Sequence, residues 1–187
     1  LEFRRVLFRS WSAATSMSRS IDPRTAKSRR PGPGSRPPSH FPWPPVLFLA
    51  TAVAGWLLQR TWPLAWPGLN DTPAKMIGWG FVIGGFGLAA WALATMLRAG
   101  GEFRPHAEAT VLITHGPFRR LRNPMYLGYA LILLGLADMS QNVWIAILTP
   151  AFALAVTWLA ILPEEGHLEE RFGDDYRVYK ERSRRWF

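Results

Sequence analysis

The sequence predicts an all-α, polytopic integral membrane protein, with about four transmembrane helices and a C-terminal amphipathic helix on the cytoplasmic side. Three observations carry that prediction. Of the 187 residues 49% are hydrophobic, with ten Trp and eleven Phe, which is too apolar for a small soluble domain. No charged residue falls within 76–97 or within 139–163, and each run is long enough to cross a hydrocarbon core of roughly 30 Å as a helix. The arginines stand beside the apolar runs and not inside them. A soluble bundle would have to cover two fully apolar helices, and so short a chain has no outer layer with which to do it.

Taken in order, residues 1–16 are expected to be a non-native leader, because Leu1–Ser10 resembles a translated sequencing-adapter oligonucleotide and Met17 is the first plausible start. Residues 17–45 are rich in Arg, Ser and Pro and read as a disordered basic tail. The membrane domain then occupies 46–187. Its first span, 46–62, opens after Pro44 and Pro45 and ends near Arg60, with Trp62 and Trp66 placed for the interface. The second, 76–97, carries Gly80 and Gly84 at GxxxG spacing, with Gly87 nearby, and that face is expected to pack against a neighbouring helix.

The third span, 124–137, and the fourth, 143–162, are joined by about Asp138 to Asn142, which is short enough to require a tight antiparallel hairpin. In the tail 163–187, Leu168, Phe172, Tyr176 and Tyr179 form a helical stripe, and Gly173 is placed to divide it into two short helices. The stripe suits a helix on the membrane surface or one closing over a pocket.

The formal net charge of +9 would suggest nucleic-acid binding in a soluble protein. Here the cations flank apolar spans, which fits the positive-inside rule and anionic lipid headgroups, so no nucleic-acid partner is expected. Basic residues concentrate before the first span, between the second and third, and after the fourth. Both termini are therefore expected in the cytoplasm of a bacterium, at its inner membrane. The absence of cysteine excludes disulfides, thiolate metal sites and a cysteine nucleophile.

Polar chemistry gathers on the same side, in the loop from Arg98 to Arg122 and after Glu164. Pro124 at a helix start leaves the first backbone N–H groups and the positive dipole end available to an anion such as a carboxylate. Gly128, one turn later, would let a flat ligand approach the backbone. Pro163-Glu164-Glu165 offers two carboxylates for a cation, although the same triplet is also an ordinary helix start. The hairpin brings the start of one span beside the end of the other, so Arg122, Asn123, Tyr126, Glu164 and Glu165 are expected around one zwitterionic ligand. His106, His115 and His167 match no metal-ligand spacing and are expected to be exposed loop residues, and no metal is expected.

Two segments, Arg122-Asn123-Pro124-Met125-Tyr126-Leu127-Gly128 and Glu-Glu-x-x-Leu-x-x-x-Phe-Gly-x-x-Tyr-x-x-Tyr from Glu164 to Tyr179, resemble the isoprenylcysteine carboxyl methyltransferase family and, more loosely, the phospholipid methyltransferases. The resemblance covers about Gly116 to Tyr179. It implies an S-adenosylmethionine-dependent methyltransferase acting on a lipophilic small-molecule or lipidated acceptor at the cytoplasmic membrane face. It also implies that Gly116, Pro117, Arg122, Asn123, Pro124, Tyr126 and Gly128 line the cofactor site with Glu164 and Glu165, and that Arg122, Asn123 and Tyr126 take part in catalysis. Asn123 stands where that family usually has histidine, so a role needing an imidazolium has no group here to fill it. Arg98, Arg104, Arg119, Arg182 and Arg184 would stand at the mouth, as positive-inside residues or as cations for an acidic acceptor. A membrane reductase of the steroid-reductase type and a non-catalytic four-helix scaffold are the competing readings.

Overall fold

The computed structural model describes residues 43–68, 70–99 and 111–186. The 1–16 leader, nearly all of the 17–45 tail, and Arg104 and His106 lie outside the described residues. What is described is all-helical.

Helix α1 (Trp43–Thr61) carries Pro44 and Pro45 in its first turn, where a missing N–H leaves no carbonyl unpaired. Near its end the Arg60 guanidinium lies over the Trp56 ring, 4.6 Å from its centre. Helix α2 (Thr72–Arg98) starts four residues earlier than the apolar run predicts, because Asp71 caps it: its carboxylate accepts the Ala74 N–H at 3.0 Å. A short 3₁₀ turn, Gly116–Arg119, precedes α3 (Pro124–Ser140).

The α3–α4 hairpin is tighter than expected. Gln141 takes a left-handed conformation, φ 51°, and Asn142 at once caps α4 (Val143–Val156) by accepting the Ile145 N–H at 3.0 Å. The Asn142 side-chain amide donates to Gly55 O at 3.1 Å, which ties the hairpin to α1. A Cβ on Gly55 would come within 2.5 Å of the Ile145 side chain, so α1 and α4 meet there without room for any larger residue.

The fourth helix does not stop at Leu162. It passes through a π-helical turn, Thr157–Ile161, in which the Leu162 N–H reaches back to Thr157 O, and continues as α5 (Leu162–Phe172). Pro163 follows that turn inside the continuing helix, and as a proline it donates no backbone N–H to the turn before it. Gly173, φ 54°, then turns the chain into α6 (Asp174–Arg182). Two helical stretches, Thr72–Arg98 and Val143–Phe172, are long and apolar enough to cross a membrane, and α3 is a shorter apolar helix of 17 residues.

Helices α2 and α3 run antiparallel through a seam of glycines, though not the pair expected. Gly80, Gly84 and Gly87 face open space. The seam is made by Gly85 against Gly128 and by Gly78 against Gly135: a Cβ on Gly128 would lie 2.7 Å from Gly85 O, and one on Gly135 would lie 2.7 Å from Gly78 O. Each helix thus presents two glycines seven residues apart, and the backbones touch at both. On the outside, α2 exposes Met76, Ile83, Phe86 and Trp91, while Leu154 and Trp158 are exposed on the other long helix. An apolar exterior of this extent belongs to a membrane protein, since in water it would be a large aggregating patch. The inward faces of α3, α4 and the π turn bury Leu133, Ala137, Phe152, Val156 and Ile161 as the main core.

Candidate active site

The start of α3 and the start of α5 meet, as the hairpin requires. Tyr126, in the first turn of α3, donates its hydroxyl to Glu164 Oε2 at 3.2 Å. Arg122, just before α3, donates Nε to Glu165 Oε1 at 3.0 Å. Its Nη1 donates to the carbonyls of Lys180 and Ser183, at 2.9 and 2.5 Å. One guanidinium therefore joins three parts of the chain distant in sequence.

A third element, which the sequence reading did not place, completes the cluster. After α6 the backbone turns back as a strap, 183–186, beside the segment leading into α3. The Arg122 N–H donates to Arg184 O and the Arg184 N–H to Arg120 O, both at 2.8 Å, so Leu121 and Arg184 form a parallel bridge. Arg185 donates Nε to Glu165 Oε1 at 3.1 Å and Nη2 to Oε2 at 2.6 Å, a two-pronged pair. That hydrogen bond raises the pKa of Arg185 above its ordinary value. Trp186 reaches the π turn, donating its indole N–H to Thr157 Oγ1 at 3.2 Å.

These contacts divide the glutamate pair. Glu165 is buried and holds three charge-assisted hydrogen bonds from Arg122 and Arg185, so its lone pairs are taken by the chain's own cations. Glu164, next to it, is exposed and touches only a phenol among these groups. Of the two carboxylates expected at one ligand, Glu165 is the centre of an internal ion-pair network and Glu164 accepts from Tyr126.

The remaining predicted residues separate in the same way. Asn123 is buried and donates Nδ2 to Arg185 O at 3.4 Å, so the residue standing in place of histidine reads the strap. It makes no side-chain cap on α3, and Pro124, also buried, follows it. The first N–H groups of α3 therefore receive no cap from the Asn123 side chain. Gly128, expected to let a ligand approach the backbone, packs against Gly85, whose carbonyl would lie 2.7 Å from a Cβ there. Gly116 has φ 62° and a Cβ there would come 2.9 Å from Thr95 Oγ1, which places it in the packing against α2, and Pro117 next to it is buried. Arg98, Arg119, Arg182 and Arg184 are exposed.

Behind the site, Leu168, Phe172, Tyr176 and Tyr179 pack together with Leu112, so the stripe forms the second core of the molecule. Tyr179 donates its hydroxyl to Phe118 O at 2.7 Å and its pKa is pushed up to about 12 by burial. Burial raises Tyr176 as well. His115 is exposed, but His167 is not a loop residue: it lies in α5 with both ring nitrogens shielded and without a hydrogen-bond partner among the described residues.

A family model described as phospholipid methyltransferase matches residues 74–175, from the start of α2 to the start of α6. The chain belongs to that family. The family takes in the isoprenylcysteine carboxyl methyltransferases, and its matched span contains the whole α3–α5 contact, including Tyr126, Glu164 and Glu165. An uncharacterized protein of Haemophilus influenzae is 41% identical over 64 residues, a stretch covering 33% of this chain and 98% of that one. No solved structure matches.

Proposed function

We propose that the protein transfers a methyl group from S-adenosylmethionine to a lipophilic acceptor at the cytoplasmic face of a bacterial inner membrane. Membership of a methyltransferase family supports the reaction class. The observation that carries the site is the splitting of the glutamate pair: Glu165 is held by Arg122 and Arg185, while the exposed Glu164 beside it accepts only from Tyr126 among these groups. Glu164, held by Tyr126, is the acceptor for an α-ammonium group. The carboxylate of the same amino-acid moiety meets the uncapped first turn of α3 and the outer edge of Arg185, whose side chain is 34% exposed. These residues fit S-adenosylmethionine, which would supply an electrophilic methyl on a sulfonium.

The chain's part is positioning. Glu165 holds Arg122 and Arg185, Arg122 fixes the strap, and Asn123 and Pro124 fix the start of α3. A methyl displacement needs its partners in line and dry, and rigid helix ends supply both conditions. In this reading four spans cross the bilayer, with α1 and α3 completing the two long helices. The cations about Arg98, Arg119 and Arg182 then lie on one side by the positive-inside rule. The acceptor enters laterally from the lipid; a lipidated carboxylate, a phospholipid amine and another isoprenoid all remain open as acceptors.

The test is calorimetric binding of S-adenosylmethionine to the detergent-purified protein. The wild type should bind saturably, and Glu164→Gln should weaken binding about 10–100-fold, the worth of a hydrogen bond to a charged group. A folded wild type that binds nothing would remove the reading.

A further inference from the structure

Two kinds of cation stand around α6 and the strap. Arg177 and Lys180 are paired within the chain, with Glu169 and Asp174 at 3.1 and 3.2 Å. Arg119, Arg120, Arg182 and Arg184, with Arg98 at the end of α2, are exposed and have no ion pair among the described residues. The fold gathers these five from three segments. Tyr179, which donates to Phe118 O at 2.7 Å, lays the end of α6 against the 3₁₀ turn, and Arg182 follows it by three residues on the same helix face. The bridge sets Arg184 beside Arg120, whose carbonyl accepts the Arg184 N–H at 2.8 Å. Thr95 lies against Gly116, and Arg98 again follows by three residues. Within 116–122 and 180–186, Glu181 is the one carboxylate. Leu97, next to Arg98, is 56% exposed as part of the apolar outer surface of α2, so Arg98 marks the depth at which that surface gives way to charge. In a bilayer this is the depth of the headgroups.

We infer that Arg98, Arg119, Arg120, Arg182 and Arg184 form a docking surface for the phosphates of anionic phospholipids, and that a docked headgroup pins the strap against the segment leading into α3. The surface goes beyond the methyl-transfer reading and does not depend on it. A guanidinium meets phosphate oxygens through paired donors, and each cation near an anionic leaflet adds to the attraction. Lipid is already present at the depth of Arg98, whereas a soluble acidic partner would have to displace it. The position of Arg184 gives the docking a consequence. Arg184 is exposed while its neighbour Arg185 holds Glu165, and its own backbone makes both hydrogen bonds of the bridge. A headgroup shared by Arg120 and Arg184 spans the two sides of that bridge and opposes its opening.

The experiment follows hydrogen exchange in peptides 117–122 and 180–187 of the full chain, which contain the bridge amides of Arg122 and Arg184. Vesicles of phosphatidylcholine alone are compared with vesicles of equal parts phosphatidylcholine and phosphatidylglycerol. Exchange of the two amides should slow at least ~5-fold in the anionic vesicles, the worth of one arginine at such a surface. The slowing should vanish when Arg119→Gln, Arg120→Gln, Arg182→Gln and Arg184→Gln are combined, while exchange in phosphatidylcholine matches the wild type, which separates lost docking from a lost fold. It should persist in Arg24→Gln, Arg29→Gln, Arg30→Gln, a variant that removes cations only from the basic run 17–45. In the wild type it should also disappear at about 1 M salt, where charges are screened within about 3 Å, a check that needs no variant. Equal exchange in the two vesicles, slowing that survives the fourfold variant or high salt, or slowing lost with the 17–45 cations overturns the inference. So does the same slowing in phosphatidylcholine with millimolar inorganic phosphate, which would assign the arginines to a free anion and not to a lipid surface.

Discussion

The two ends of α3 are built on opposite principles. Along its length, Gly128 and Gly135 bring its backbone against Gly85 and Gly78 of α2, and the contact contains nothing but close approach. At its start, Arg122 is surrounded by a carboxylate and two carbonyls, and the contact is almost wholly charge and hydrogen bonding. In lipid the hydrophobic effect does not distinguish one apolar helix face from another, so a seam must be made by shape. At the polar end shape alone would leave charges unsatisfied, so the helix is fixed there by pairing. The seam sets where α3 lies, and the cluster sets what its first turn presents.

The largest effect should come from breaking the charged end. Arg122 and Glu165 have side chains 11% and 7% exposed, so Glu165→Ala strands a shielded guanidinium and should cost about 3–5 kcal/mol. Thermal unfolding in detergent would measure it, and a change under about 1 kcal/mol would mean that Arg122 is held by the carbonyls alone. Breaking the seam comes next. Gly85→Leu must push α3 outward, because even a Cβ would lie 2.6 Å from Gly128 O, and a loss of about 1–3 kcal/mol is expected. The same variant should weaken S-adenosylmethionine binding only insofar as the start of α3 is displaced, so retention of affinity in a destabilised protein would show the two ends to be independent.

The sequence disclosed the charged end better than the seam. Charge-free runs and prolines located the helices, and the hairpin argument correctly brought Arg122 and Tyr126 to the glutamates. Glycine spacing misled on α2 because that helix is apolar all round, so no polar face marks which glycines point inward. The signal was available in the pairing of two intervals: Gly78 and Gly85 are seven apart, as are Gly128 and Gly135. The strap was illegible for another reason. Arg185 sits in a run of basic residues, and only tertiary contact distinguishes it from the exposed Arg182 and Arg184. The passage of the fourth helix beyond Leu162 depended on a π turn that no periodicity announces.

A smaller effect probes the packing behind the polar end. Tyr179 ionises near 10 in an unfolded chain and at about 12 here, burial being the main cause. A group with a raised folded value contributes its full stability below pH 10 and loses it as the pH climbs to 12. Unfolding midpoints should therefore fall over that window, and Tyr179→Phe should flatten part of the slope. An unaltered slope would assign the alkaline loss to other groups.

The smallest effect is the one that discriminates best between the two glycine sets. Gly80 and Gly84 have nothing within 4 Å of a Cβ, whereas Gly78 and Gly85 meet α3 at once. Gly84→Ala should shift stability by no more than about 0.5 kcal/mol, as surface substitutions usually do, although its sequence neighbour Gly85 cannot be enlarged without moving a helix. Gly80→Ala should behave in the same way. A loss comparable to that of Gly85→Leu at either position would require a neighbour on the outer face of α2. The adjacent pair thus turns a one-residue step along α2 into a direct reading of which face the backbone of α3 touches.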